Sequence, residues 1–143
     1  MTLHLTNWAS RAEHGPGTKI SAMAKPLAWM SAYGIAPNAA PHLLDLEAIR
    51  SDTITIEEYT ARCVARWAYF AALDRYLPGK FDSVRPEGGR RMNIKIADGD
   101  SLLCTCPRRG SHRWRRPCHL ESLAPFLVRA GWRVLLYGEE VTV

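Results

Sequence analysis

The chain has 143 residues, of which 47% are hydrophobic and 23% charged, and this composition is typical of one globular domain. It excludes a long disordered chain, a collagen-like repeat and a disulfide-rich miniprotein. The formal net charge is +5, from 19 lysines and arginines against 14 acidic residues, and five of the arginines lie within nine positions. Those five are Arg108, Arg109, Arg113, Arg115 and Arg116. Without them the bases and acids balance, so the excess positive charge belongs to one short segment.

The first part of the chain predicts short elements separated by turns. Residues 3–6 and residues 19–24 are predicted strands. Residues 7–18 between them end close to a Gly-Pro-Gly sequence, which predicts a loop that leaves the end of a strand. Residues 27–33 predict one or two helical turns, and two prolines shortly after them predict irregular chain.

The middle of the chain predicts one long helix followed by polar chain. Thr55 and Glu58 have the spacing of a capping box, and Pro78 and Gly79 are expected to end the helix. Residues 85–91 are predicted to form a polar loop, and residues 92–96 alternate weakly, as a strand does. The apolar residues that recur at helical spacing are Ile56, Tyr59, Cys63, Val64, Trp67, Phe70 and Leu73.

The last part of the chain predicts a strand, a helix and a second strand in succession. Residues 101–106 form the first strand, residues 118–130 the helix, which ends before a glycine, and residues 132–137 the second strand. Pro117 suits the first helical position. Pro125 either kinks the helix or lies in the first turn of a helix that begins later.

Together these elements predict the fold class and the compartment. The last three form a right-handed βαβ unit, and residues 1–143 as a whole predict a single small α/β domain. Its sheet is expected to be mainly parallel, with about four strands flanked by helices. The sequence shows neither an apolar run long enough to cross a bilayer nor a signal peptide. Three of the four cysteines lie beside the arginines, which is typical of a local thiol or metal cluster in a reducing compartment. We therefore expect a cytoplasmic protein with no membrane association.

The five arginines belong to a segment, residues 107–117, which we call the arginine segment. It joins a predicted strand to a predicted helix, the place where open α/β sheets bind ligands. Helix N-termini favour anions, and arginine side chains bind phosphate or carboxylate through paired N–H groups. Trp114 lies among the arginines, and aromatic side chains among cations are common where bases stack. The alternatives are a solvated loop for the arginines and a core position for Trp114.

A metal site is the second interpretation of the same region. Cys104, Cys106, Cys118 and His119 supply ligands that zinc or iron accepts, and His112 is a substitute for one of them. Cys104 and Cys106 would share one face of a strand. However, the intervals between these residues are shorter than the two to four residues usual between zinc-binding cysteines.

Catalysis is the third interpretation. Cys104, Cys118 and His119 are the candidates for nucleophilic or acid–base roles, because a thiolate near arginines is activated. The spacing of a cysteine phosphatase, in which an arginine is the sixth residue after the cysteine, is not met. Gly110 is at that position after Cys104, and His112 is at that position after Cys106.

The sequence Leu102-Leu103-Cys104, a loop, and Cys118-His119 at the start of an apolar helix resembles the domain-of-unknown-function family numbered 488. Most of the chain takes part in this resemblance. The further similar segments are residues 6–9, residues 20–26, residues 41–46 and residues 57–59. The chain departs from the family where Leu120 replaces an arginine, where Cys106 replaces a common glutamate, and in its longer and more basic loop.

The resemblance implies a small α/β fold and a Cys/His site, without a settled activity. It also implies that Asn7, Arg11 and His14 face that site, because they leave the neighbouring strand at the same edge of the sheet. Polar residues that simply face water are the alternative.

Three functions follow from these patterns. The first is binding of a phosphate-bearing ligand, nucleic acid or a nucleotide, by the arginines together with Cys118 and His119, and the sequence leaves open whether the ligand is also processed. The second is a metal-binding module, with zinc or iron, that has no catalytic activity. The third is a regulatory or inhibitory protein whose basic segment binds an acidic protein surface. The sequence does not decide whether the protein is an enzyme.

Overall fold

The computed structural model describes residues 1–105 and 118–143 of the chain. Within them, seven strands and four α-helices are found. In chain order the strands are β1 (Thr2–Asn7), β2 (Lys19–Ser21), β3 (Asp82–Glu87), β4 (Arg90–Lys95), β5 (Ser101–Cys104), β6 (Arg133–Leu136) and β7 (Glu139–Glu140). The helices are α1 (Ala28–Ser31), α2 (Leu43–Arg50), α3 (Ile56–Ala72) and α4 (His119–Arg129). Short 3₁₀ turns occupy Arg11–Glu13 and Pro37–Ala39.

The main sheet has five strands in the order β2-β5-β1-β6-β7. Strands β2, β5, β1 and β6 are mutually parallel, and β7 adds an antiparallel edge. This confirms the predicted α/β fold with a mainly parallel sheet. All four residues of β5 are buried, as expected for a strand between two neighbours and under helices. Parallel pairing places the carboxyl ends of β1, β2 and β5 at one edge, which we call the carboxyl edge.

Helix α3 forms the long helix that the sequence predicts, and it packs against α4. Thr55 caps it, and the reciprocal bonds of the capping box with Glu58 are present. The face that α3 buries contains Tyr59, Cys63 and Trp67, each one helical turn from the next. The indole N–H of Trp67 donates to Ser122 Oγ of α4 over 3.0 Å, so the two helices are joined by a polar contact within the core.

The polar region after α3 forms a β-hairpin, so the prediction of a loop at residues 85–91 is wrong. Strands β3 and β4 pair antiparallel, and Gly88 and Gly89 turn the chain between them with positive φ angles. Most side chains of the hairpin face solvent, so the strands lack the alternation of apolar residues on which the prediction depends. Ile35 bridges both Val84 of β3 and Ser21 of β2, and so links the hairpin to the main sheet.

Other boundaries also differ from the prediction. Strand β2 ends at Ser21 rather than at residue 24, and β5 ends at Cys104 rather than at residue 106. Helix α2 was not predicted, because its buried face is reduced to Leu46 and its N-cap is a histidine ring instead of a common capping residue.

Helix α4 begins at His119 rather than at residue 118, and Pro117 lies outside the described residues. Pro125 lies inside this helix and not in its first turn, at the position whose N–H would otherwise bond to the carbonyl of residue 121. Of the helices in residues 1–105 and 118–143, none combines the length and apolar character that crossing a membrane requires.

Candidate functional site

The carboxyl edge brings together the ends of three strands and the start of α4. Asn7 of β1 pairs in register with Cys104 of β5, and the next N–H, that of Trp8, donates to the Cys104 carbonyl over 3.0 Å. On the other side of β5, Ala22 donates its N–H to the Leu103 carbonyl over 2.8 Å. The chain leaves β5 at this point and returns to it at α4, so the predicted site has a well-defined base.

Two thiols are in contact at this base. The Sγ atoms of Cys104 and Cys118 lie 3.2 Å apart, and the two residues are 0% and 2% exposed. A disulfide bond is about 2.05 Å long, so the two sulfurs are near each other without being bonded. Cys118 is the N-cap residue of α4, and its side chain makes no capping hydrogen bond. The structure therefore unites two of the predicted site residues that the sequence separates by the arginine segment.

His119 attaches the first turn of α4 to the end of β2. Its Nε2 lies 2.7 Å from the carbonyl oxygen of Ala22, and since a carbonyl only accepts, Nε2 carries the proton in this contact. The ring is buried and lies 6.4 Å from the Trp67 ring, centroid to centroid.

A cavity of about 240 Å³ opens between α3 and α4 next to His119. Its lining consists of Tyr59, Thr60, Cys63, Cys118, His119, Glu121 and Ser122. Cys63, which the sequence places far from the other cysteines, therefore shares a cavity with Cys118. No local pattern indicates this proximity, because it results from the packing of α3 on α4.

In the loop after β1, two of the three predicted ligand-binding residues make hydrogen bonds within the loop itself. Asn7 Oδ1 accepts the N–H of Ser10 over 2.9 Å, and His14 Nε2 lies 3.0 Å from the Asn7 carbonyl oxygen. His14 Nδ1 is buried and has no hydrogen-bond partner in the described part of the chain. Arg11 is exposed, in the 3₁₀ turn. Asn7 and His14 thus shape the loop at the carboxyl edge, while Arg11 extends towards solvent.

The remaining predicted site residues lie outside the described residues. These are Cys106, Arg108, Arg109, Arg113, Trp114, Arg115 and Arg116. Among residues 1–105 and 118–143, no cluster of three or more His, Cys, Asp or Glu side chains has the geometry to hold a metal ion.

An aromatic cluster at the carboxyl edge was not predicted. The Trp8 ring lies 5.1 Å from the Trp29 ring in an edge-to-face arrangement and 5.7 Å from the Tyr33 ring. Trp29 and Tyr33 are 52% and 49% exposed. The signal in the sequence was two aromatic residues, four positions apart, in a segment without acidic residues. Their proximity to Trp8 depends on how α1 packs after β2.

Two groups away from the carboxyl edge have shifted pKa values. Burial raises the pKa of Tyr76 above its usual range, and the hydroxyl donates to the Asn38 carbonyl over 2.7 Å. Burial also lowers the pKa of His4, near the start of β1, and the positive charge of Arg133 adds to this effect. These shifts concern stability and not the candidate site.

Comparisons of the chain with protein-family models, curated proteins and solved structures found no match. The resemblance to family 488 therefore stays a prediction. What can be said of function depends on the geometry at the carboxyl edge.

Proposed function

We propose that the protein binds a phosphate-bearing ligand, nucleic acid or a nucleotide, at the carboxyl edge of its sheet. The observation that supports this most strongly is the 3.2 Å contact between the sulfurs of Cys104 and Cys118. Cys104 and Cys118 lie on either side of the segment that contains the five arginines. Both ends of that segment therefore connect to the same point of the fold. That point is also the N-terminus of an 11-residue helix.

The charges favour an anion at this point. Arginine binds phosphate through paired, charge-assisted N–H groups, and the N-terminus of α4 adds a positive dipole end. The sequence between residues 101 and 120 contains no acid that could neutralise the arginines locally. Glu121, in the first turn of α4, lines the cavity against α3.

The proposal concerns binding in the first place. Cys104 and His119 are the residues that would perform nucleophilic or acid–base chemistry if the ligand were processed, and both are buried. His119 also uses Nε2 to bond the Ala22 carbonyl. Binding by the arginines does not require either of these side chains to reach the ligand.

Fluorescence anisotropy with a labelled single-stranded oligonucleotide tests the proposal. If the five arginines each neutralise one phosphate, the salt slope is about −3.5, and a fourfold increase in salt weakens binding about 100-fold. Replacing all five by glutamine should remove both the affinity and the slope. A matched control replaces five exposed arginines on other elements, Arg50, Arg75, Arg90, Arg91 and Arg129.

The control variant has the same net charge as the test variant, so it separates a local site from general electrostatic attraction. Equal losses in both variants would contradict a site in the arginine segment. Failure of single-stranded DNA, RNA and free nucleotides to bind at low salt would contradict the proposal as a whole.

The thiol contact favours a metal-binding module as a second candidate. Two thiolates on one tetrahedral zinc lie about 3.8 Å apart, from a Zn–S distance of about 2.3 Å, so a small shift of Cys104 and Cys118 would suffice. His119 would contribute Nδ1, and Cys106 would be the fourth ligand. Elemental analysis of the purified protein decides this: zinc or iron near one equivalent, lost in Cys118→Ala, supports it, whereas metal-free folded protein contradicts it.

A further inference from the structure

Two large aromatic side chains are half exposed next to a third at the carboxyl edge. Trp29, on α1, is 52% exposed, and Tyr33, just after α1, is 49% exposed. Trp8 is partly buried and is in edge-to-face contact with Trp29 at 5.1 Å and an interplanar angle of 72°. Rings held in place by a neighbouring ring lose little further freedom when a flat ligand stacks on them.

The cluster is attached to the base of the arginine segment. The backbone N–H of Trp8 donates to the carbonyl of Cys104, the last residue of β5. Helix α1 follows β2, whose end is bonded to Leu103 through Ala22. Trp8 and helix α1 therefore follow the two strands that flank β5, and both lie beside its carboxyl end.

Charge selects among the ligands that aromatic rings bind. Residues 14–44, which contain Trp29 and Tyr33, include two lysines and no acid. Aromatic rings also attract quaternary ammonium groups, but a cation would meet the positive field of this edge. An uncharged, flat ring attached to a phosphate meets no such cost. The indole N–H of Trp8 is buried and has no acceptor within residues 1–105 and 118–143.

We propose that Trp29 and Tyr33 form a stacking surface for the unpaired nucleobases of the ligand whose phosphates the arginine segment binds. This inference rests on the proposed function and specifies it. It makes the ligand single-stranded nucleic acid or a free nucleotide, because the bases of a duplex are stacked on one another and cannot reach a protein ring.

Three probes of equal length test the inference: a labelled single-stranded oligonucleotide, its abasic analogue, which keeps the phosphates, and the duplex. Trp29→Ala and Tyr33→Ala should each weaken binding of the single strand about 5- to 150-fold, which is the range for loss of one stacked base. Neither variant should change binding of the abasic analogue. Tyr69→Ala is the matched control, since Tyr69 is 63% exposed on α3 and packs on Phe70.

Competition by a nucleoside monophosphate distinguishes the two sources of the base. Full displacement of the labelled oligonucleotide by the monophosphate, at concentrations that saturate the wild type but do not saturate Trp29→Ala, identifies a nucleotide site. Displacement by oligonucleotides but not by the monophosphate identifies a strand-binding surface. Both outcomes support stacking. Circular dichroism of the variants checks that these exposed substitutions leave the fold intact.

Equal binding of the base-containing and abasic probes, or unchanged binding in Trp29→Ala and Tyr33→Ala, would overturn the stacking surface and leave the phosphate-binding proposal standing. Absence of binding by every probe at low salt would overturn both. Displacement by tetramethylammonium chloride, beyond that caused by potassium chloride at equal ionic strength, would identify a cation site instead and overturn the inference.

Discussion

Oxidation should join Cys104 and Cys118 and stabilise the protein. Their sulfurs are 3.2 Å apart, so a displacement of about 1.2 Å brings them to the length of a disulfide bond. The azo compound diamide supplies the oxidant: each thiol gives up one hydrogen, the two sulfurs bond, and diamide becomes the corresponding hydrazine. The product is a disulfide bond between the residues on either side of the arginine segment.

The separation of the two cysteines sets the expected gain in stability. They are 14 positions apart in sequence. Closing a loop of about 15 residues removes conformational entropy from the unfolded chain worth about 3 kcal/mol. For a chain of this size the melting temperature rises by roughly 2–4 °C for each kcal/mol, so oxidation should raise it by about 6–12 °C.

The assay uses a background in which Cys63→Ala and Cys106→Ser leave two cysteines. Intact mass after diamide treatment should show the loss of two hydrogen atoms in the monomer, and urea denaturation of oxidised and reduced protein gives the stability difference. Because Cys104 and Cys118 are buried, the reagent reaches them only when the structure opens locally, so the reaction should be followed over time. Cys104→Ser in the same background is the control.

A monomer that keeps both thiols under conditions that oxidise the unfolded chain would refute the proximity of the two sulfurs. A disulfide that forms with no gain in stability would refute the loop-closure argument, because strain in the folded state would then cancel the entropy.

Two further predictions concern the opposite edge of the sheet. Asp100→Asn should lower the free energy of unfolding by about 3 kcal/mol in urea denaturation, because the buried carboxylate accepts the N–H groups of Thr18 and Ala97 and pairs with Arg85 at 3.1 Å. His4→Gln should reduce the loss of stability that the wild type shows as the pH falls from about 7.5 to about 5. The folded state lowers the pKa of His4 below its ordinary 6.5, so the unfolded chain binds the proton more readily, and stability present above pH 6.5 is lost below it.

Each of these predictions has a clear contrary result. An Asp100→Asn protein as stable as the wild type would show that the ion pair adds nothing beyond an amide of the same shape. A His4→Gln protein with the same pH dependence as the wild type between those limits would assign the acid instability to other groups.

The elements that were predicted correctly have local causes. The start of α3 depends on Thr55 and Glu58, three residues apart, and its buried face on apolar residues one turn apart. Strands β1, β5 and β6 are short segments that each contain at least two apolar residues. Helix α2 and strand β3 were missed, and β4 was predicted only weakly, at residues 92–96. Few of their side chains are buried, so their stability comes from pairing and docking and not from a pattern of apolar residues.

In the candidate site, too, some features could be predicted from the sequence and others could not. The order of Cys104, the arginines and Cys118-His119 between a strand and a helix was visible in the sequence, and parallel pairing puts Asn7 beside Cys104. The sulfur contact, the bond from His119 to the Ala22 carbonyl and the place of Cys63 in the same cavity were not visible. Each joins residues that are far apart in the chain.

The sequence by itself determined the fold class, the long capped helix and the concentration of positive charge in one segment, because these depend on composition and on spacing within a few turns. Only the tertiary structure decided that the ends of that segment touch and that Trp8, Trp29 and Tyr33 form a cluster beside them. The reason is physical: side chains from different strands meet only after the parallel pairing of β1, β2 and β5 has brought their carboxyl ends to one edge.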